Sequence, residues 1–175
     1  MGIALNPAAP AALFAEIFRE EHRKVRDLLL DLIRAFRDRD RARAGSLLEE
    51  TAALLGPHFR YEEEALYPAL VGIFGSDYVQ HLLGEHDRAI GAAVRVLELA
   101  GRDPLTRDDV AEAIYLVRGI LPHVSDCEGL SLIVEVLDTE EVQSILDARE
   151  LSLRAGLDLL RWSSEVRRRP IVLPE

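Results

Sequence analysis

The chain has 175 residues, 49% of them hydrophobic and 30% charged, a balance that suits one globular domain folding in water and excludes a disordered, collagenous or membrane-embedded body. Its 21 basic and 31 acidic side chains leave a net charge of -10, which repels phosphate backbones and anionic lipid, so neither nucleic acid nor a membrane is an expected partner. The single Cys127 excludes an intramolecular disulfide and any all-cysteine metal site, and the N-terminus MGIALNPAAPAALFAEIF lacks a basic start and reads poorly as a signal peptide, so a cytoplasmic location is expected.

Ala, Leu, Arg and Glu dominate, aromatic residues make up 6%, and apolar residues recur at spacings of three and four, the pattern of amphipathic helices. The first helix is expected over 11–37, burying a broad face of Phe14, Ile17, Phe18, Val25, Leu28, Leu29, Leu32, Ile33 and Phe36. A second runs over 41–74, interrupted at Gly56-Pro57 because proline lacks a backbone donor and clashes with the preceding turn. Gly75-Ser76-Asp77 ends it and caps a third helix, 77–100. Thr106, followed by Asp108 and Asp109, is an N-cap with acid in the first turn of a fourth helix, which passes Pro122 and weakens at Gly129. Thr139-Glu140-Glu141 caps a last helix to about residue 161, which Trp162 docks on the rest. The expected organisation is one domain over 11–165 and a tail over 166–175 that includes the arginine run 167–169.

The helices carry a repeat. Glu21-His22 and Glu85-His86 lie 64 residues apart, and Pro57-His58 and Pro122-His123 lie 65 apart. Each unit is an antiparallel helix pair with Glu-His on its first helix and Pro-His on its second. Two such pairs about a pseudo-twofold axis give the expected fold, an all-α, up-down four-helix bundle with an additional C-terminal helix, and turn four histidines toward one centre.

His58 and Glu62 are four apart, so they sit roughly 40° apart on one helix face, a turn above each other. Imidazole nitrogen with bridging carboxylate oxygen suits iron, manganese or zinc, whereas calcium or magnesium favours an all-oxygen shell. A di-iron pair is the natural reading, because one helix face supplies only one or two ligands and four helices must contribute. Glu21 and Glu85, roughly 100° from the neighbouring histidines, fall on a solvated face or serve as acceptors behind the ligands. Glu63 and Glu64 are expected in solvent, Phe59, Leu66, Leu70 and Ile73 in the core, and Tyr61 and Tyr67 in packing roles.

The string HFRYEEEALYPAL at 58–70, with a Glu-His pair on either side and a final histidine closely followed by a carboxylate, resembles the hemerythrin family, specifically the hemerythrin-like HHE cation-binding domains. The resemblance covers about residues 13–147. It implies a non-haem di-iron site with an oxo or hydroxo bridge, held by His22 on the first helix, His58 and Glu62 as the HxxxE motif, His86 on the third helix and His123 on the fourth. Two positions depart from the family pattern. Hemerythrins proper carry third-helix histidines four apart, whereas His81 and His86 are five apart, roughly 140° around a regular helix, so His81 turns inward only if a π-bulge forms near Gly84. The last fourth-helix ligand is a carboxylate five residues on, or four in several relatives. Glu128, five on from His123, is the expected ligand; Cys127, four on, reads as a small buried apolar residue, with a thiolate ligand as its alternative.

The function implied is binding or sensing of a small ligand such as dioxygen, nitric oxide or peroxide. A redox enzyme on the same centre, reducing peroxide or nitric oxide or repairing iron centres, is one alternative; a metal-free helical interaction module is another. No glycine-rich phosphate loop, GxSxG, HExxH or Ser-His-Asp arrangement is present to carry nucleotide or hydrolytic chemistry.

Overall fold

Residues 8–169 are described by the computed structural model, and among them every regular element is helical. Helix α1 (Ala8–Arg37) buries Phe14, Phe18, Val25, Leu29, Leu32 and Phe36 as its periodicity requires. It stops where Arg39 takes a positive φ of 55°, and Asp40 caps α2 (Arg41–Tyr61) by accepting from the Arg43 amide. The interruption expected at Gly56-Pro57 is absent, since α2 runs straight through Pro57. Gly56 is there for packing: a Cβ at that position would lie 2.2 Å from the Leu157 carbonyl oxygen, so only glycine lets the C-terminal segment approach.

The helix changes character at Glu62–Leu66 instead. One π turn, closed by the Tyr67 amide donating to the Glu62 carbonyl, leads into α3 (Tyr67–Phe74). α4 (Ser76–Ala100) follows, and α5 (Arg107–Glu128) opens with a reciprocal cap in which Thr106 and Asp109 satisfy each other's backbone amides. α5 passes Pro122 and ends at Gly129, before the short α6 (Leu130–Ile133) and the 3-10 turn Val134–Val136. Asp138, one residue ahead of the expected Thr139, caps α7 (Thr139–Ala155). The single last helix expected is split, because Gly156 adopts a left-handed φ of 61° and Asp158 starts a new turn, α8 (Leu159–Arg161), continued by a π turn over Trp162–Val166.

α1 packs along α2 and α5, α4 packs along α5 and α2, and α7 lies against α2 and α1. Two apolar clusters result. One holds Val25, Leu29, Phe36, Leu55, Phe59, Val96, Val117 and the buried Trp162; the other holds Phe14, Phe18, Tyr61, Leu66, Tyr67, Leu70, Cys127 and Val134. Each fully buried Phe or Leu contributes roughly 1.5–3 kcal/mol. Ile73, expected in the core, is exposed. No helix among the described residues is long and apolar enough to cross a membrane. Of the expected tail, residues 170–175 lie outside the described residues.

Candidate metal centre

A buried polar group occupies the junction between the two clusters, where Phe59 of one and Tyr61 of the other flank the same stretch of chain. Its middle is Glu62, the first residue of the π turn and fully buried. One carboxylate oxygen, Oε1, lies 3.5 Å from His58 Nε2 and accepts from Cys127 Sγ at 3.2 Å. The other, Oε2, is 3.2 Å from His86 Nε2 yet forms no hydrogen bond of its own. Potential ligand atoms of His22, Glu62 and Cys127 all lie within 4.8 Å of one another, as do those of Glu62, His86 and His123.

Each imidazole is gripped from behind through Nδ1, which leaves Nε2 facing inward. His22 Nδ1 donates to the Phe18 carbonyl at 2.8 Å, His58 to Glu21 at 2.8 Å, His86 to Glu63 at 2.9 Å and His123 to Glu85 at 2.9 Å. These partners fix ring orientation and tautomer, the arrangement usual behind metal-ligating histidines. Glu21 is held in turn by the Tyr61 hydroxyl at 2.7 Å and by Arg149 of α7. Glu63 receives both Nε and a terminal nitrogen of Arg167, which also reaches Asp87.

The electrostatics follow from burial opposed by these contacts. Burial works to raise Glu62, but His58 and His86 hold its carboxyl well below the usual carboxylate range. Burial likewise opposes the charge on Glu21, yet His58 and Arg149 bring it down to about 2. Burial, reinforced by His58, pushes His22 down to about 4; burial and His86 lower His123. Against burial, Glu62 and Glu21 raise His58, and Glu62 and Glu63 raise His86. Burial and then the Glu62 charge push the Cys127 thiol up.

His22, His58, Glu62, His86 and His123 are thus brought together; the expected ligand Glu128 is not, and His81 stays outside as a regular third helix requires. Glu128 is exposed, because α5 continues as a regular helix and the residue on the His123 face is the one four on, Cys127. His81 is exposed beside Glu85 at 3.7 Å, since α4 carries no π-bulge near Gly84 and leaves it on the far face from His86. Glu63, expected in solvent, is buried, because the widened π turn presents both Glu62 and Glu63 to the interior. Arg167, expected in a loose tail, is anchored on Glu63. Glu21 and Glu85 are the acceptors behind His58 and His123 rather than members of a solvated face. Tyr67 does more than pack: its hydroxyl lies 3.0 Å from His86 Nε2 and 3.6 Å from Cys127 Sγ.

This donor set fits a metal cation. Leaving a buried carboxylate oxygen without a partner costs about 1–3 kcal/mol or more, and Glu62 Oε2 is such an atom, 3.2 Å from the inward Nε2 of His86. Nitrogen with carboxylate and sulfur suits iron, zinc, cobalt or manganese rather than calcium or magnesium.

No curated protein and no solved structure matches the chain. Residues 13–130 match the family model of the hemerythrin HHE cation binding domain, short of the 147 expected. That stretch is more than half of the chain and contains every residue of the buried cluster from His22 to Cys127, so the chain belongs to the hemerythrin HHE cation-binding domain family, a family of metal-cation-binding helical domains.

Proposed function

We propose that this protein holds a non-haem di-iron pair and binds or senses a small ligand such as dioxygen, nitric oxide or peroxide. The observation that carries the reading is the single buried carboxylate of Glu62 with a different imidazole on each oxygen, His58 on Oε1 and His86 on Oε2. One ion would leave one of these sets idle, whereas a pair uses both. The contacts of α1 with α2 and α5, and of α4 with α5 and α2, support an up-down four-helix core with α7 outside it. When bound, iron would supply a redox-active centre to which a small ligand could add. Zinc or manganese is compatible with the same donors. A reducing cytoplasm suits the reading, since Cys127 is a buried free thiol.

Aromatic and aliphatic side chains cover part of the donor set. The Phe59 ring stacks on His86 with centroids 3.6 Å apart. An apolar cavity of about 520 Å³, lined by Leu29, Leu48, Val96 and Leu159 among others, shares Leu55 and Ile120 with a small gap of about 10 Å³ against His22, His58 and His123.

A second reading, a redox enzyme on the same centre, is favoured by Tyr67, whose buried hydroxyl 3.0 Å from His86 Nε2 is a proton donor placed beside the donor set. Iron analysis with absorption spectroscopy tests the first reading. A pair of irons per chain, with charge-transfer bands that change on adding nitric oxide, dioxygen or peroxide, is expected. Protein that takes up no iron, or whose spectrum none of the three alters, refutes it. Sustained consumption of peroxide with a reductant present moves the assignment to the enzyme.

A further inference from the structure

The offset of 65 that relates Pro57 to Pro122 and His58 to His123 also relates Glu62 to Cys127. Each helix pair therefore offers a histidine and, one turn later on the same face, a side chain able to ligate; in the first pair it is a carboxylate and in the second a thiol. The two meet. Cys127 is fully buried, its Sγ donates to Glu62 Oε1 at 3.2 Å, and it belongs to the same 4.8 Å set as ligand atoms of His22 and Glu62. The other oxygen of the same carboxylate, Glu62 Oε2, turns to the second donor set, 3.2 Å from His86 Nε2, and is buried without a hydrogen bond, so this fully buried side chain has a free donor atom that a cation would satisfy.

We propose that Cys127 ligates a metal ion as a thiolate, in the position where the repeat would otherwise supply a second carboxylate. This rests on the metal-binding reading above and goes further, because it makes the two ion positions chemically unlike. One is formed by His22, Glu62 and Cys127, with His58 on the shared Oε1; the other by Glu62, His86 and His123. On coordination the thiol exchanges its S–H bond for a sulfur–metal bond and the proton leaves to solvent, with no change of oxidation state. The cation supplies the positive charge that a buried thiolate beside Glu62 otherwise lacks. Tyr67, 3.6 Å from Sγ, is placed to donate a hydrogen bond to the sulfur once it is ionised. Sulfur is a soft donor, so the first position selects zinc, cobalt or ferrous iron over manganese and magnesium, while the second has no such bias.

Cobalt(II) titration of the metal-free full-length chain tests this, with Cys127→Ser and Cys127→Ala alongside and circular dichroism as the check on folding. In the parent chain, cobalt should give visible d–d bands together with an intense thiolate-to-cobalt band in the near ultraviolet; the variants should keep d–d bands and lose the ultraviolet one. Bound cobalt without the ultraviolet band, or with the same band in folded variants, overturns the thiolate and leaves the metal reading standing. A chain that takes up no cobalt overturns both. X-ray absorption of the zinc-loaded parent needs no variant: a sulfur scatterer at about 2.3 Å is expected, and a shell of only nitrogen and oxygen at about 2.0–2.1 Å overturns the proposal.

Discussion

Glu21 Oε2 accepts from His58 Nδ1 at 2.8 Å, and its counterpart in the repeat, Glu85 Oε2, accepts from His123 Nδ1 at 2.9 Å. Neither glutamate touches Glu62, yet each decides which nitrogen of its histidine faces inward. Glu21→Gln and Glu85→Gln should therefore weaken zinc or iron binding by about 10–100-fold without unfolding the protein. The Glu21 variant should lose more, because Glu21 is also the anchor of Tyr61 and Arg149. Chelator competition on folded protein measures both. Unchanged affinity in either would show that the ring is oriented by packing alone.

The histidines and Glu62 were legible because helical spacing and a repeat are properties of the sequence itself. What was hidden depended on backbone irregularity and distant chain. A regular helix cannot turn adjacent residues inward together, so nothing in EEE distinguishes Glu63 from Glu64 until the π turn forms; Glu63 is then buried and Glu64 exposed. Arg167 is 104 residues from Glu63, beyond any local pattern. Cys127 was visible in the offset of 65, but comparing positions by residue type directs attention to the nearest carboxylate, Glu128.

Glu128→Ala and His81→Ala should leave metal content and affinity unchanged, since both side chains lie on exposed helix faces. Glu62→Ala should abolish uptake of both ions, because both donor sets include it. Metal analysis after reconstitution is the measurement. Loss of an ion from the Glu128 variant would mean that α5 bends on loading.

Arg167→Ala should destabilise the protein and loosen the His86 side of the centre. Breaking one partner from a buried ion pair costs about 3–5 kcal/mol, and the low end is expected because the Arg167 side chain is 12% exposed and Glu63 keeps His86. Arg167→Lys should rescue little, since an ammonium cannot reproduce the two-nitrogen grip on Glu63. Thermal unfolding with zinc titration checks both, and an Arg167→Ala protein as stable as the parent would reduce this contact to a surface one.

Gly56→Ala tests the reason for the glycine. Its Cβ would sit 2.2 Å from the Leu157 carbonyl oxygen and 2.8 Å from the Leu159 amide nitrogen, so the segment carrying Leu159 and Trp162 must move, at a cost of about 1–3 kcal/mol or more. Gly45→Ala, a helical site with nothing near its Cβ, should instead gain about 0.5–1 kcal/mol. Thermal melts of the two variants should move in opposite directions.

The last prediction concerns pH and follows from shifts of opposite sign within one cluster. His58 and His86 are raised, so in the metal-free protein they contribute stability that is complete below the ordinary histidine value of 6.5 and is lost as pH rises through their folded values. His22, lowered to about 4, and His123, also lowered, act the other way: the unfolded chain protonates first, and stability is lost as pH falls below 6.5 toward 4. Glu21, held at about 2, adds a further loss below its ordinary value of 4.5. The metal-free protein should therefore be most stable near the ordinary histidine value and fall away on both sides. A cation must displace the protons that Glu62, Glu21 and Glu63 stabilise on His58 and His86, so zinc affinity should climb as pH rises above the ordinary histidine value of 6.5 and through their raised folded values, by up to about tenfold per unit for each proton released. The zinc-induced rise in melting temperature should be larger at the alkaline end, where the metal replaces stability that deprotonation has removed. Calorimetry in buffers of different ionisation enthalpy counts the protons directly; the Cys127 thiol accounts for one of them, and a count no greater than one would mean that both imidazoles are already neutral in the metal-free protein.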